Sequence, residues 1–590
     1  MTDAAMADAA TLSALAGRHL DLVTAPFTLP RSRVLVFRAD DGGGVRVHTS
    51  EYEKRLSACR VLDAVRVTDA DGRVLPVSDV QPHRIAFGGS SALEPRAEVG
   101  ERAEVGQRGA DVPAFDESPT SVQASRAEAT LTFADPSTLS LGGTPGTRVR
   151  LTHPDGRLEE HPLSASGIRI RVAADRAVEI DPGDHPSALA ACERQWLGWF
   201  ARCPRVRDDL QAMAAFCWWV LGANIVELPA LGDARAVVPS KIGYVGLWQW
   251  DAYFIAVGLR HGDPELAREQ LDIAFRFPRD DGQLPDVVHE QGILASSDDL
   301  PESDRATLRR AGSQIADPSK PVPLTKPPLA AWALRKVLEV QDDPGWAREQ
   351  LGRVIRSQDW WFASSDLDGD GMPEYGHPYS SGLDDSPIFD GPIPTAAPDL
   401  GAYLVCQDRE IAGLLDRYQP DAETERFLAR AERTQTLLDE MWDDEAGRFL
   451  ARGAREDIHS DTVVGLMPLR TGSLPDGIRD ALRVAVDDPA RFALEWGLPT
   501  VAASDPDFSP ERMWRGPIWI NTSALVAEGL EASGYPERAR ELREQTVRLV
   551  VHGGGPHEYY NPRTGLKAER ATTAFGWSAA LFIDLAVALS

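Results

Sequence analysis

Two acidic segments carry groups suited to acid and base work. Residues 380–390 read SSGLDDSPIFD, and Asp384 and Asp385 are adjacent. Only one of such a pair can easily point into a pocket, which leaves the other to cap or orient the turn. Residues 553–580 read GGGPHEYYNPRTGLKAERATTAFGWSAA. Three glycines before Pro556 allow close backbone approach, and Glu558 lies beside Tyr559 and Tyr560, where aromatic burial perturbs a carboxylate. Taken alone, each acid also fits an ordinary solvated loop.

Aromatic residues accompany these acids. Among 15 tryptophans, Trp248 and Trp250 stand in GLWQWDAYF, Trp514 and Trp519 in MWRGPIWIN, and Trp577 in FGWSA. Indole faces beside carboxylates suit sugar rings, whose C–H faces stack while their hydroxyls take fixed polar partners. Core packing is the other use of each indole. The run DLDGDGMPE places Asp366, Asp368 and Asp370 at alternate positions with Gly371 after them, like the opening of a calcium loop, and Glu374 offers a further oxygen. The twelfth position is His377 rather than glutamate, so a cluster of Asx turns is the alternative. His289, His377 and His557 have no metal-ligand spacing, and the glycine runs at 42–44 and 88–91 lack the helix and lysine of a phosphate loop.

The elements that hold these segments divide the chain in two. From about 30 to 185, VLVFRA, GVRVHTS, TLTFAD, TRVRLTH and GIRIRVA alternate between turn signals, which predicts antiparallel sheet, a sandwich-like domain over 1–185. A mobile insertion is expected within it at 91–128, where RAEVGERAEVG repeats and large apolar residues are scarce. From 186 to 590 the period becomes helical, as in segments 263–277, 327–341, 345–363, 400–418, 422–442 and 537–551. About a dozen helices without a fixed sequence repeat fit a closed ring of hairpins better than an open solenoid, with the Trp-rich loops at one end. The fold class is thus α+β and multidomain.

Composition narrows the partners. Across 590 residues the net charge is −28, from 90 acidic against 62 basic side chains, which disfavours nucleic acid and anionic membrane; a small carbohydrate is the partner expected from the indole faces beside the acids. No apolar run reaches membrane-span length, and the first twenty residues carry acids before any base, unlike a secretory leader. Five cysteines, odd in number and without CxxC spacing, predict reduced thiols and a cytoplasmic setting.

Read in order, WQWD (248–251), DDGQLPD (280–286), DLDGDGMPEYG (366–376), SGLDDSP (381–387), WRGPIWIN (514–521), HEYYNP (557–562) and FGWSA (575–579) form a series. This series resembles glycoside hydrolase family 63 and the related trehalases, in particular the bacterial mannosylglycerate and glucosylglycerate hydrolase-like enzymes. The resemblance covers about 240 to the C-terminus and implies an (α/α)6 toroid, inversion at the anomeric carbon, Asp384 as general acid and Glu558 as general base. It also implies a sugar floor of Trp248, Trp250 and Asp251, with Asp251 on paired hydroxyls. Tyr244, Gln249, Gln283, Trp514, Arg515, Trp519 and Asn521 would complete the pocket, although Arg515 and Asn521 also suit a bridging or capping role. Some members bind calcium at the segment matching Asp366, Asp368, Asp370 and Glu374, and the chemistry itself needs no cofactor.

The activity so implied is exo-acting, inverting α-glycoside hydrolysis of a small α-glucoside, α-mannoside or glycosylglycerate-like substrate. Asp384 must then hold a proton near neutral pH through desolvation or a neighbouring charge such as Asp385, and Glu558 must stay ionised across a gap of roughly 6.5–9.5 Å. The other readings are a toroidal epimerase, which needs paired histidines, a polysaccharide lyase, which needs a Tyr or His base, and a sugar-binding protein without activity.

Overall fold

The structure is a computed structural model that describes residues 3–52, 54–89, 127–228, 231–232, 234–300, 314–315 and 321–590. The expected insertion at 91–128 lies outside these residues except for its last two positions. An N-terminal helix α1 (Asp3–Gly17), absent from the strand-based expectation for 1–185, buries Ala9, Leu12 and Ala16 against the helices that follow the sheets.

Strands β1 (Val34–Arg38), β2 (Val45–Thr49), β3 (Arg60–Thr68), β4 (Val74–Leu75), β5 (Val77–Gln81) and β6 (Arg84–Gly88) precede the undescribed stretch. After it come β7 (Glu128–Asp135), β8 (Thr138–Gly143), β9 (Arg148–Thr152), β10 (Leu158–Pro162), β11 (Ile168–Val172) and β12 (Val178–Pro182). One six-stranded sheet runs β1-β2-β3-β9-β10 with β4 on β3, and the other runs β12-β11-β8-β7-β6-β5. All these pairings are antiparallel, and the inward residues of both sheets join one core. β11 shows why the register is fixed: Arg169 and Arg171 face water while Ile170 and Val172 are buried, so a slip of one residue would bury two guanidiniums.

Helix α2 (His185–Phe200) packs on β7 and β8, and α3 (Asp208–Ala223) follows. The remaining helices are α4 (Gln249–Leu259), α5 (Pro264–Ala274), α6 (Ala330–Val340), α7 (Pro344–Ser364), α8 (Pro398–Tyr418), α9 (Glu425–Asp439), α10 (Asp476–Asp487), α11 (Ile520–Ala532), α12 (Pro536–His552) and α13 (Gly576–Ala588). A 3-10 helix, Val463–Thr471, lies between α9 and α10. Contacts run from α4 to α6, α8, the 3-10 helix, α11, α13 and back to α4. A second element backs each of these six: α5, α7, α9, α10, α12 and α3 respectively.

The chemistry of the two sets differs as burial demands. Every residue of α4 is buried, and ten of the thirteen in α13 are, so both are mostly apolar around the helix, with Gln249 and Asp251 in α4 and Asp584 in α13 among the exceptions. Helices such as α5 and α7 are amphipathic and start cleanly: Asp263 accepts the Leu266 N–H at 3.1 Å, Asp343 accepts those of Gly345 and Trp346 at 3.0 Å, and a proline opens each first turn. The quoted motifs fall at the N-terminal ends of α4, α11 and α13 and in the loops before α6 and α8. Among the described residues no helix is long and apolar enough to cross a membrane, and all five cysteines are free.

Candidate active site

Asp384 and Glu558, 174 positions apart in the sequence, line one pocket. Asp384 lies in a tight turn after a short 3-10 helix, Pro378–Ser381. The Ser381 hydroxyl accepts the Leu383 N–H at 2.9 Å, and the Leu383 carbonyl accepts the Ser386 N–H at 2.9 Å. Gly382 has φ +71, and a Cβ there would meet the Trp250 ring at 2.2 Å, so both conformation and space require glycine. Glu558 is clamped instead: Oε1 accepts the Tyr244 hydroxyl at 2.9 Å and Oε2 the Thr572 N–H at 2.8 Å.

Indoles enclose the two acids. Trp248 and Trp250 come from the strand-to-helix junction that opens α4, Trp514 and Trp519 from the loop before α11, and Trp577 from the first turn of α13. Trp514 and Trp519 stack with centroids 3.6 Å apart and planes at 7°, and Trp250 meets Trp577 edge-on at 90°. Asp384 Oδ1 and the Nε1 atoms of Trp514 and Trp577 are buried without a partner in the protein. Met513, also on the lining, takes φ +26, strained backbone in the wall itself.

One ammonium stands among the acids. Lys326, in the loop before α6, is buried 3.1 Å from Asp286 and donates to the Tyr379 carbonyl at 2.5 Å. Burial opposes its charge, yet Asp286 and Asp384 hold its pKa above the ordinary value. Burial pushes Asp384 up to about 7; Lys326 opposes this, while Asp286, Asp385 and Glu558 add to it. Burial also takes Asp286 to about 6 against the pull of Lys326, and carries Asp251 well above the carboxylate range. Glu558 is raised by burial too, with the Thr572 N–H and the Tyr244 hydroxyl working in the other direction.

The structure thus brings Tyr244, Trp248, Trp250, Asp251, Asp384, Trp514, Trp519 and Glu558 together on the lining. Four expected pocket residues do not reach the lining: Gln249, Gln283 and Arg515 use their polar atoms on the framework, whereas the Asn521 side-chain amide has no partner in the protein. Gln249 Oε1 accepts the Lys326 N–H at 3.0 Å, and Gln283 Nε2 donates to the carbonyls of Ala295 and Leu324 at 2.9 and 2.8 Å. Arg515 donates to the Asp385 carbonyl at 2.9 Å and pairs with Asp390, while Asn521 is wholly buried in the first turn of α11. Asp385 takes the orienting role left open for one of the pair: it accepts the Trp514 N–H at 2.8 Å and pairs with Arg512 at 3.1 Å.

Sequence reasoning did not single out Lys326, Asp286 or Phe575. Asp286 had a signal, since it closes the quoted DDGQLPD; Lys326 had none beyond its place before two prolines. Away from the pocket, Asp366, Asp368 and Asp370 bring carboxylate oxygens within 4.8 Å of one another. Glu374 Oε2 accepts the Leu367 N–H at 2.9 Å, and burial together with those three acids lifts Glu374 to about 6. His377 is buried and pushed down to about 3, its Nδ1 accepting the Tyr379 N–H at 3.1 Å, so it turns toward the Asp384 loop.

The chain is similar to known proteins. The sequence profile of the mannosylglycerate hydrolase MGH1-like glycoside hydrolase domain matches residues 244–578. Mannosylglycerate hydrolase of Thermus thermophilus is 29% identical over 415 residues, 58% of this chain and 95% of that protein. A solved family 63 mannosylglycerate hydrolase, also from Thermus thermophilus and in complex with Tris and D-glycerate, superposes with a TM-score of 0.52 at 25% identity, covering 62% of this chain and 98% of that one. A bacterial glucoamylase complexed with acarbose, 11% identical, has a TM-score of 0.52 over 96% of this chain and 94% of that one, a likeness of fold that takes in the sheets as well as the helices.

The electrostatics give a direct expectation. A carboxyl 13C NMR titration should find Asp384 half-protonated near pH 7, against the ordinary value of about 3.9. Lys326→Met should move that midpoint higher still, because it removes a cation that favours the carboxylate; a wild-type midpoint near 4 would overturn the assignment.

Proposed function

The chain belongs to the mannosylglycerate hydrolase MGH1-like glycoside hydrolase domain family and is a glycoside hydrolase, and from that premise we propose an exo-acting α-glycosidase that inverts the anomeric centre. Its substrate is a small α-mannoside, α-glucoside or glycosylglycerate-like molecule, in keeping with the relatives' names and the D-glycerate held by one of them. The observation that carries this reading is the contrast between two carboxyls on one indole-lined pocket: Asp384 has a free oxygen and a pKa near 7, whereas Glu558 is held by two donors.

Asp384 is the general acid. Below pH 7 it keeps a proton for the glycosidic oxygen as the bond to the anomeric carbon breaks. Glu558 is the general base: donors on both of its oxygens favour the charged form and fix the group, and it takes a proton from the water that attacks the opposite face. The proton gained by Glu558 and the one lost by Asp384 are exchanged with solvent to reset the pair. Asp251, in the first turn of α4, takes sugar hydroxyls over the floor made by Trp248 and Trp250. The six-membered contact circuit with its six backing elements supports an (α/α)6 toroid over 186–590, and the two sheets a sandwich domain over 1–185. Five free thiols support a cytoplasmic setting.

The 366–374 loop would hold a calcium ion. Three convergent carboxylates with a raised Glu374 beside them are a concentration of negative charge that a hard cation relieves, and the ion would serve the loop's structure and take no part in the chemistry.

Three measurements test these assignments. Proton NMR of the first sugar released should show the anomer opposite to that of the substrate; retention of configuration would sink the inverting mechanism. Asp384→Asn should lower kcat on poor leaving groups by about 10²–10⁴-fold with an unchanged melting temperature, and wild-type kcat/KM should fall above about pH 7 as the acid loses its proton. For the loop, EDTA should lower the melting temperature and added calcium restore it, whereas a melting temperature insensitive to both would remove the ion from the account.

A further inference from the structure

The family match begins at residue 244, yet the pocket wall is braced by residues far upstream of it. Leu247 and Trp248 pair in antiparallel fashion with Val288 and Val287, and the hairpin continues through His289 and Glu290 to Gly292–Leu294. Asp286, the partner of Lys326, immediately precedes this hairpin. Whatever fixes the hairpin therefore also fixes Trp248 on the lining and the acid beside the ammonium.

The chain that follows β2 supplies that bracing. The Tyr52 ring stacks on His289 with centroids 4.1 Å apart and planes at 2°, and the Trp248 ring lies 6.2 Å from it. A Cβ on Gly246 would meet the Tyr52 ring at 3.1 Å and the Val287 side chain at 2.7 Å, so both side chains close on the Gly246 backbone here. Tyr52 is the one member of the small apolar cluster with Val287, Leu294, Leu300 and Leu324 that comes from the sheet-bearing part of the chain. Two polar ties hold it in register. Arg33 pairs with Glu290 at the hairpin tip at 3.1 Å, and the Ser50 hydroxyl donates to the Lys241 carbonyl at 2.7 Å.

We propose that Tyr52 is a positioning residue for the sugar pocket: wedged between His289 and Trp248, it sets the hairpin against the pocket wall, so substrate affinity depends on the N-terminal sheet domain. The inference rests on the reading of this pocket as a glycoside site only for its kinetic consequence; the mechanical part stands without it. A ring in this position acts through Trp248 and Asp286 rather than on the reacting atoms. Its loss should therefore weaken binding more than turnover.

The test compares Tyr52→Ala and His289→Ala with Tyr52→Phe in the full chain. Hydrogen exchange across 244–250 and 287–294 should accelerate about tenfold in the two alanine variants and stay near wild type in Tyr52→Phe. With the α-glycoside that the wild-type enzyme cleaves best, KM should rise about tenfold in the alanine variants while kcat changes less than about threefold, and Tyr52→Phe should restore both. Wild-type exchange in both segments of both alanine variants would overturn the proposal, as would a kcat loss as large as the KM gain. Should Tyr52→Ala fail to fold, His289→Ala decides the matter, since it opens the same stack and leaves the sheet core intact. If the wild-type enzyme cleaves no α-glycoside, the proposed activity fails, and the exchange comparison still decides the role of Tyr52.

Discussion

The structure turns on a shortage of positive charge at one end of the helical circuit. Asp251, Asp286 and Glu558 are buried there and Asp384 is half-buried with its Oδ1 enclosed, and among the described residues around them Lys326 is the ammonium. At an effective dielectric of 20, a charge pair 4 Å apart is worth about 4 kcal/mol, which compensates the desolvation of one carboxylate and not of four. Some of these acids must therefore hold a proton at neutral pH. The partition follows the local partners. Glu558 has two donors and is the better placed to carry charge, while Asp384 has an oxygen without a protein partner. Two carboxyls of one pocket thus differ in their partners alone.

That separation places demands on the loops. Asp384 can be left without donors only if its backbone is held by other means, and this is the work of Ser381, of Gly382 under the Trp250 ring, and of Asp385. Asp385 spends its own carboxylate on Arg512 and the Trp514 N–H, which fixes the indole wall and the acid loop to each other. Behind that wall Arg515 joins the Asp385 carbonyl to Asp390, and Gln249 holds the backbone of Lys326. Polar residues close to the pocket in sequence are therefore divided between facing the ligand and holding those that face it. Burial alone does not tell the two apart.

This division marks how far the sequence could be read. Strands over 34–39, 44–50 and 167–173 and helices over 345–363 and 400–418 were legible because one face is wet and the other dry, which leaves a period in the residues. Helices α3 and α13 lack that contrast, being apolar nearly all round, and their bounds were not legible. The indoles and both carboxylates were legible through the order of motifs. Gln249, Gln283, Arg515 and Asn521 were not separable from true pocket residues, since motif membership does not say which way a side chain turns. Lys326 and Tyr52 were invisible for the opposite reason, as each is a lone residue whose meaning comes from partners distant in the chain.

The other end of the circuit shows that charge balance, more than enclosure, decides where proton chemistry can occur. A second cavity there, of about 230 Å³, is bordered by Arg260 and His261 just past α4, Lys336 of α6, Glu528 of α11 and Asp584 of α13. Arg260 and Lys336 stand here beside the two acids Glu528 and Asp584. Glu528 meets Lys336 at 2.7 Å and Arg470 at 3.1 Å; although burial works against ionisation, these partners hold it down to about 2. Asp584 is likewise held below the usual carboxylate range, against burial, by His261, Lys336 and Arg260. An acid with two cations beside it cannot donate a proton at neutral pH. The same circuit thus carries carboxylates at both ends, and the raised Asp384 stands at the end where cations are few.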